Sequence, residues 1–385
     1  METRMILKEC LRWVINNTQP SFDIKNSLSE DCLKNLYKLS KAHDVAHLVG
    51  YFLQKNQLID SKTEISKIFK KELNIAIYRY SQIEYELVQI REKLAESRIP
   101  FILLKGSTIR QYYPEPWMRT SCDIDVLVKR NDHKKTMKFL EDKLGYKFVV
   151  RGSHDVTMET QSGLSVELHY QLIEEDRCPD MVKILNDVWS HATIKEGGNC
   201  EFVLDDKMFY FYHMAHMAKH VLNGGTGLRS FIDTYLLNTK ANVSADNNEL
   251  LEKGKLKKFA LESQRLASVW FGDLQADEVT NLFENYVLSG GVLGTIQNGA
   301  VIGQSKKGGK IKYLLARLFP PYSSLKEKYP VLKKHWYLTP IFYLVRWFEM
   351  MFSGRFNRAV TEVKAMNADK EKLEKAQKLL KDLGL

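Results

Sequence analysis

The chain has 385 residues, of which 44% are hydrophobic and 27% are charged. These proportions are close to the globular average and exclude a wholly disordered, collagen-like or low-complexity protein. At about 150 residues per domain the length predicts two or three domains, and a chain of this size can bury a sizeable core without a disulfide or metal staple.

The cysteines are odd in number, far apart and without a Cys-x-x-Cys spacing. This pattern argues against a secreted disulfide framework and against a zinc ribbon, and it favours a reducing compartment. Lys8, Glu9 and Arg12 interrupt any apolar run at the amino terminus, so no signal peptide is predicted and we expect a cytoplasmic protein. The cysteines are Cys10, Cys32, Cys122, Cys178 and Cys200.

Residues 1–97 are predicted to form a helical N-terminal region. Apolar residues recur at helical spacing from Leu73 to Leu94, which predicts a long helix that ends near Ser97.

The pattern of apolar residues changes in residues 98–200. Short apolar runs bounded by turn residues there predict a small α/β core of four or five strands. Asn131 is a candidate cap for a helix that continues to about Leu144, with Gly145 at its end. Strands are predicted within 99–107 and at 123–129, 146–151, 155–160 and 164–170.

Residues 201–385 are predicted to form a second helical domain with a basic tail. Asp205 and Asp206 can cap its first helix, and the Gly-rich loop 223–227 ends that helix. KKGGK at 306–310 predicts a flexible linker or exposed loop. The expected fold class is therefore α+β, a small mixed-sheet core flanked by helical regions.

The net charge of +10 comes from the C-terminal part of the chain. Residues 301–385 hold 18 basic and 7 acidic residues, a net of +11, whereas the first 300 residues hold 39 and 40. Such a segment suits a polyanionic partner such as nucleic acid or an anionic membrane, and it equally suits a solvated helical face. The interleaved aromatics are expected to lie in a core. The residues are Lys333, Lys334, Trp336, Arg346, Trp347, Arg355, Phe356 and Arg358.

The most apolar stretch of the chain is 336–352. It is short for a membrane span and contains Pro340, Arg346 and Glu349, so no transmembrane helix is predicted there.

Three carboxylates of the central block carry the main chemical signal. Asp123 and Asp125 alternate with apolar residues in one predicted strand, so both point to the same face of the sheet. Paired carboxylates repel each other unless a cation neutralises them, and Mg²⁺ prefers such oxygen ligands. Glu167 lies in a later strand; if that strand is adjacent, the three groups form the site that two metal ions need for displacement at phosphorus.

A candidate phosphate cradle lies just upstream of this strand. Lys105, Gly106 and Ser107 occupy a predicted strand-to-helix turn. Glycine allows a close backbone approach to a phosphate, N–H groups at a helix start can bind the anion, and the Ser hydroxyl and Lys ammonium can contact its oxygens.

These motifs resemble the nucleotidyltransferase superfamily that includes DNA polymerase β and the aminoglycoside nucleotidyltransferases. More closely, the chain is similar to a bacterial group of uncharacterised nucleotidyltransferases from about residue 99 to 235. The matching text is LLKGS (103–107), RTSCDIDVLV (119–128), SVELHY (165–170), HMAHMAKH (213–220) and GGTGLRSFID (224–233).

The resemblance implies that Asp123, Asp125 and Glu167 hold two Mg²⁺ or Mn²⁺ ions and act in catalysis. It implies that Gly106 and Ser107 cradle the triphosphate of a nucleoside triphosphate, ATP among the candidates, with Lys105 and Arg119 as further phosphate contacts. The expected reaction moves a nucleoside monophosphate to an acceptor hydroxyl and releases pyrophosphate. The acceptor stays open: a small molecule, a peptide or an RNA.

Histidines and charged residues of the second helical region could line the cleft between that region and the sheet. His213, His216 and His220 share one helix face. With His169 they could form a zinc site, although no Cys or carboxylate completes a familiar zinc motif, and one His could serve as a general base. Polar contacts at a domain interface explain them equally well. The other candidate cleft residues are Lys219, Arg229 and Asp233, and the last two have the spacing of a helix ion pair.

Two alternatives to nucleotidyl transfer stay open. One is a nucleotide-binding or nucleic-acid-binding protein without transfer chemistry, and the other is an enzyme on the same scaffold that transfers the γ-phosphoryl group. An adaptor at a membrane surface is a further alternative, suggested by the basic tail.

Overall fold

The computed structural model describes residues 2–174, 179–292, 294–352, 361–365 and 370–385. Helices of the N-terminal half are α1 (Glu2–Asn16), α2 (Glu30–Ala42), α3 (Ala46–Lys55), α4 (Glu64–Glu96), α5 (Gly106–Ile109), α6 (His133–Leu144) and α7 (Pro179–Leu185). Those that follow are α8 (Asp206–Leu222), α9 (Leu228–Lys240), α10 (Glu249–Lys253), α11 (Lys257–Phe271), α12 (Glu278–Gly290), α13 (Ile296–Lys307), α14 (Lys310–Leu318), α15 (Tyr322–Lys328), α16 (Thr339–Phe352) and α17 (Lys370–Leu383).

One mixed sheet of seven strands forms the centre of the α+β fold, in the order β3-β4-β5-β2-β1-β7-β6. Two strand pairings position the site. Strand β2 pairs with β5 in a parallel orientation, and β1 pairs with β2 in an antiparallel orientation. The strands are β1 (Phe101–Leu103), β2 (Asp123–Val128), β3 (Lys147–Arg151), β4 (Asp155–Glu159), β5 (Ser165–His169), β6 (Ala192–Ile194) and β7 (Glu201–Leu204).

Strand alternation gives the sheet two faces that belong to different cores. Ile124, Val126 and Val128 of β2 pack in a core with the C-terminal half of α4 and with α6. Leu127, which points to the opposite face, belongs to a larger core that includes α1, α3, α8, α9 and α11. The sheet therefore separates two hydrophobic layers, and side chains in register with Leu127 face the helices of the larger core.

The predicted strands at 123–129, 146–151, 155–160 and 164–170 are confirmed, as is the long helix that ends near Ser97. Asp205 caps α8 as expected, because its side chain accepts a hydrogen bond from the Met208 amide at 2.8 Å. The prediction missed β6 and β7. These strands have three and four residues, which is too short for an alternating pattern to stand out.

One local prediction is wrong and another holds only in part. Asn131 does not cap α6, which begins at His133 after Asp132. The stretch 306–310, predicted as a flexible linker or exposed loop, is exposed from residue 306 to 308, but most of it is helical because α13 continues to Lys307 and α14 begins at Lys310. Only Gly308 and Gly309 interrupt the two helices, with φ angles of +72° and +127° that favour glycine.

The C-terminal aromatics only partly form a core. Trp347 is half-buried, whereas Trp336 is 70% exposed and Phe348 is 60% exposed. Within the described ranges, no helix combines the length and the apolar character that crossing a bilayer requires. The four cysteines among the described residues are free; Cys178 lies outside these residues, as do Arg355, Phe356 and Arg358.

Buried histidines make the fold sensitive to acid. His43 at the end of α2 is fully buried, and this burial lowers its pKa from 6.5 to about 4. Because the unfolded chain binds a proton that the folded chain excludes, stability should fall as the pH decreases from 6.5 to 4, by up to about 3 kcal/mol for this residue. Chemical denaturation at several pH values should show a shallower decline for His43→Leu than for the wild type, and parallel profiles would contradict the assignment.

Candidate active site

The three predicted carboxylates lie on one face of two neighbouring strands. In the parallel pairing of β2 with β5, Asp125 is opposite Glu167, Asp123 is opposite Ser165 and Leu127 is opposite His169. The intervening residues of both strands point into the smaller core with α4 and α6. Alternation therefore directs the carboxylates and His169 toward the helices of the larger core.

Asp125, Glu167 and His169 form the tightest part of this cluster. The Nε2 atom of His169 lies 2.9 Å from Oδ1 of Asp125 and 3.5 Å from Oε2 of Glu167. One ligand atom from each of these residues lies within 4.8 Å of the others, so the group could hold a metal ion. Asp123 lies outside this tightest group, two residues earlier on the same strand face.

The carboxylates differ in charge state because their surroundings differ. Burial, reinforced by the charges of Asp125 and Glu167, raises the pKa of Asp123 to about 6. Burial also acts on Asp125, but the Lys105 ammonium and the hydrogen bond from His169 hold its pKa below the ordinary value. Burial would lower the pKa of His169, yet its hydrogen bonds to Asp125 and Glu167 raise it to about 9. Two cationic side chains thus partly neutralise the cluster.

The turn after β1 places Lys105 and Gly106 beside the carboxylates. Lys105 has a φ of +32°, an uncommon backbone conformation for a non-glycine residue. Its Nζ atom lies 5.3 Å from the ring centre of Tyr212. Burial lowers the pKa of this ammonium, and Asp125, Asp123 and Glu167 oppose that shift.

Gly106 lies against Arg119. A Cβ atom at this position would be 2.9 Å from Nη1 of Arg119, so a larger residue requires the guanidinium to move. The following α5 is a single turn whose amides at Ser107, Thr108 and Ile109 already donate to backbone carbonyls of Leu104 and Lys105. The sequence predicted several backbone amides at this helix start that could bind a phosphate. Within the described residues, the amide of Gly106 is the one that stays available.

A cavity of about 410 Å³ lies between this face of the sheet and helices α8 and α9. Ser107 is the one predicted phosphate-binding residue that does not line it. The structure places thirteen predicted site residues around this single cavity: Lys105, Gly106, Arg119, Asp123, Asp125, Glu167, His169, His213, His216, Lys219, His220, Arg229 and Asp233.

Arg119 and Asp233 form a buried ion pair at the edge of the cavity. Nε and Nη2 of Arg119 donate to the two carboxylate oxygens of Asp233 at 2.9 and 2.8 Å, and the Tyr113 hydroxyl donates to the same carboxylate at 2.7 Å. Arg119 is 7% exposed and Asp233 is 3% exposed. Among the described residues Nη1, the atom beside Gly106, has no hydrogen-bond partner, so it is the guanidinium atom best placed for the expected phosphate contact of Arg119.

The expected helix ion pair between Arg229 and Asp233 is not formed. Nη1 of Arg229 instead donates to Oδ2 of Asp44 at 2.9 Å and to the carbonyl of Thr120 at 2.7 Å. Asp233 is already bound to Arg119. Both residues therefore connect α9 to distant segments of the chain, and the four-residue spacing alone was misleading.

The histidines of α8 pair with protein groups. Nε2 of His213 lies 3.0 Å from the hydroxyl of Thr234, and the Nε2 atoms of His216 and His220 are 3.2 Å apart. Burial lowers the pKa of His213 and of His220 to about 4, and it lowers that of His216 well below its ordinary value. Among the described residues, neither group with metal-binding geometry contains any of these three, so the zinc site considered as an alternative is not assembled.

The second group with such geometry consists of His154, Asp155 and His169. His154 and Asp155 were not predicted as site residues. Asp155 begins β4, the strand that pairs with β5, and His154 directly precedes it. Ser121 and Tyr212, which line the cavity, were not predicted either. Ser121 lies two residues before Asp123, and Tyr212 directly precedes His213 in α8, so proximity to the motifs was the available signal.

The chain is similar to a family of known proteins. The model of a family described as "uncharacterised nucleotidyltransferase" matches residues 30–272, and the chain belongs to this family. Neither the curated proteins nor the solved structures contain a match to the chain. The matched range includes the sheet, the Arg119–Asp233 pair and all the residues given above as lining the cavity; Val292, which also lines it, lies outside that range.

Removal of Asp233 should strongly destabilise the protein. In Asp233→Ala the Arg119 guanidinium stays buried without its counter-charge, so we expect a loss of about 3–5 kcal/mol in the free energy of unfolding. The matched control is Asp273→Ala, which removes the 94% exposed partner of Arg12 and should change stability by less than about 1 kcal/mol. Urea denaturation measures both, and equal losses would contradict a special role for the buried pair.

Proposed function

We propose that this chain transfers a nucleoside monophosphate from a nucleoside triphosphate to an acceptor hydroxyl and releases pyrophosphate. One observation carries the proposal: Asp123, Asp125 and Glu167, on adjacent parallel strands, face the same cavity as the Lys105–Gly106 turn. Membership of the nucleotidyltransferase family supports the same class of reaction.

The donor set fits divalent metal ions of the Mg²⁺ class. Three carboxylates offer hard oxygen ligands, and the raised pKa of Asp123 reflects burial and repulsion that a bound cation would relieve. Asp123, Asp125 and Glu167 would hold the ions. When bound, two such ions offset triphosphate charge and stabilise both the attacking and the leaving oxygen of an in-line displacement.

The turn beside the carboxylates suits the triphosphate. The Lys105 ammonium lies in the cavity beside Tyr212, Gly106 lines the same cavity, and Nη1 of Arg119 lies next to that glycine. We assign the phosphate contacts to these three residues. Ser107 is a weaker candidate, since it does not line the cavity.

The helical side of the cavity suits the acceptor and the nucleoside. His216 and His220 line it, and burial together with the charge of Lys105 keeps both imidazoles neutral at pH 7. Bases with such low pKa values remove protons poorly. We therefore assign these histidines the positioning of the acceptor through hydrogen bonds, and not the removal of its proton.

A thermal-shift experiment tests the metal–triphosphate site without knowledge of the acceptor. Each of the four nucleoside triphosphates is added with and without Mg²⁺ at about 100 times its dissociation constant, where binding adds roughly 2.7 kcal/mol to stability. We expect the wild type to be stabilised only when a nucleoside triphosphate and Mg²⁺ are both present. Asp123→Asn should lose this stabilisation. Without ligand, Asp123→Asn should be at least as stable as the wild type, because one buried repulsive charge is gone.

The matched control is Asp142→Asn, which changes an exposed carboxylate on α6. It should keep the full ligand-dependent shift. Stabilisation of Asp123→Asn equal to that of the wild type would exclude Asp123 from the site.

The position of bond cleavage distinguishes nucleotidyl transfer from phosphoryl transfer. With water as a slow acceptor, nucleotidyl transfer produces nucleoside monophosphate and pyrophosphate in equal amounts, whereas γ-phosphoryl transfer produces nucleoside diphosphate and phosphate. We expect the first pair in a prolonged incubation analysed by chromatography, above the level of Asp123→Asn. The second pair would support the phosphotransferase alternative.

A further inference from the structure

The helix α16 has two different sides. Its inner side packs on the segment that follows α14: the Tyr343 hydroxyl donates to the carbonyl of Pro320 at 2.9 Å, and Nε1 of Trp347 donates to the carbonyl of Leu318 at 3.1 Å. The ring of Phe319 lies 5.3 Å from the rings of both Tyr343 and Trp347. The hydrogen-bonding groups of α16 therefore point toward the protein.

Glu349 is exposed at the edge of the other side of α16, and the rest of that side, which we term the outward face of α16, contains only apolar residues. Their spacing follows the helical repeat, so they form one continuous stripe. Their exposed fractions range from 36% for Val345 to 85% for Phe352. The outward face consists of Ile341, Leu344, Val345, Phe348, Met351 and Phe352.

This arrangement inverts the usual orientation of an amphipathic helix, whose apolar stripe faces the core. It also occurs where exposed apolar residues concentrate: of the 28 large hydrophobic residues that are exposed in the described chain, 14 lie between Ile311 and Val363. Single exposed apolar residues are ordinary, but a contiguous patch of this kind marks an interaction surface.

The surroundings of the outward face are strongly basic. Between residues 301 and 352 the chain has ten Lys and Arg against two Glu, a net of +8. Lys312 and Lys334 are exposed, and one of the two acidic residues, Glu349, already pairs with Lys328. The partner should therefore be apolar where it meets α16 and anionic around it.

We propose that the outward face of α16 docks on an anionic phospholipid bilayer. A second copy of the chain fits poorly, because a two-fold contact would bring two segments of net positive charge together. Nucleic acid supplies the anionic charge, and Phe348 and Phe352 offer rings for base stacking, but the aliphatic residues Ile341, Leu344 and Val345 would find no apolar partner on it. A bilayer with anionic headgroups supplies both the apolar and the charged component.

The dimensions of α16 suit a position in the plane of the membrane surface. At 1.5 Å per residue its 14 residues extend about 21 Å, less than the ~30 Å of the hydrocarbon core. Trp336 and Tyr337 directly precede the helix and are 70% and 60% exposed. Both residue types favour the headgroup region, where the apolar ring and the polar group are each satisfied.

Vesicle flotation with the full chain tests the proposal. We expect the wild type to float with phosphatidylcholine vesicles that contain about 30 mol% phosphatidylglycerol, and to float much less with phosphatidylcholine alone. Raising the salt from about 0.1 M to about 1 M should weaken flotation, because the Debye length falls from about 10 to about 3 Å.

Two substitutions on the outward face, Leu344→Ser with Phe348→Ser, should reduce partitioning at least about 30-fold through lost apolar contact. Lys312→Gln with Lys334→Gln should reduce it about 30-fold, at roughly 1 kcal/mol per lysine near the surface. The matched control, Val88→Ser with Leu261→Ser, removes exposed apolar residues from α4 and α11 and should leave flotation unchanged. All four residues of the test variants are exposed, so their melting temperatures should stay near that of the wild type.

Three results would overturn the proposal. One is failure of the wild type to float with anionic vesicles. Another is flotation of the Leu344→Ser, Phe348→Ser variant that equals that of the wild type. The third is a dimer, detected by light scattering, that these substitutions dissociate, since it would identify a second copy as the occupant. None of these results bears on the cavity or its carboxylates.

Discussion

Holding three carboxylates on one face of two adjacent strands is the constraint on which the rest of the site depends. Asp125 and Glu167 are direct neighbours across β2 and β5, and Asp123 lies on the same face. In a buried position such charges repel each other and lose hydration. The fold accommodates them by placing the His169 imidazole and the Lys105 ammonium among them. The arrangement is stable enough to form, yet it keeps a surplus of negative charge for a cation.

A second electrostatic contact keeps the two sides of the cavity together. The Arg119–Asp233 pair joins the loop before β2 to α9, and Tyr113 completes the hydrogen bonding of that carboxylate. Nearby, Arg229 joins α9 to Asp44 and Thr120, and His47 of α3 lies 2.8 Å from the carbonyl of Met118. The loop that carries Arg119 is therefore attached to both helical regions. The position of Gly106 against Arg119 depends on these attachments.

Local patterns were enough to predict the part of the site that lies on the strands. Alternation in Asp123-Ile124-Asp125 predicts that both carboxylates share a face, and this holds for any register of the neighbouring strand. The adjacency of Glu167 was conditional, because strand order depends on contacts far apart in sequence. The partners of Arg119 and Arg229 are 114 and 185 residues away, and no local spacing indicates them. Helical periodicity suggested a nearer partner for Arg229, and the tertiary contacts prevailed.

Local patterns do not indicate tertiary partners, and this also explains why the C-terminal aromatics were predicted to lie in a core. An amphipathic pattern predicts that a helix has an apolar side, but it does not predict what that side meets. In α16 the Tyr343 hydroxyl and the indole N–H of Trp347 donate hydrogen bonds to backbone carbonyls. These bonds fix the rotation of the helix about its axis. Once that rotation is set, the apolar stripe has to point outward. The basic charge around it then determines which kind of surface can cover the stripe, so sequence composition becomes informative only after the structure has oriented the helix.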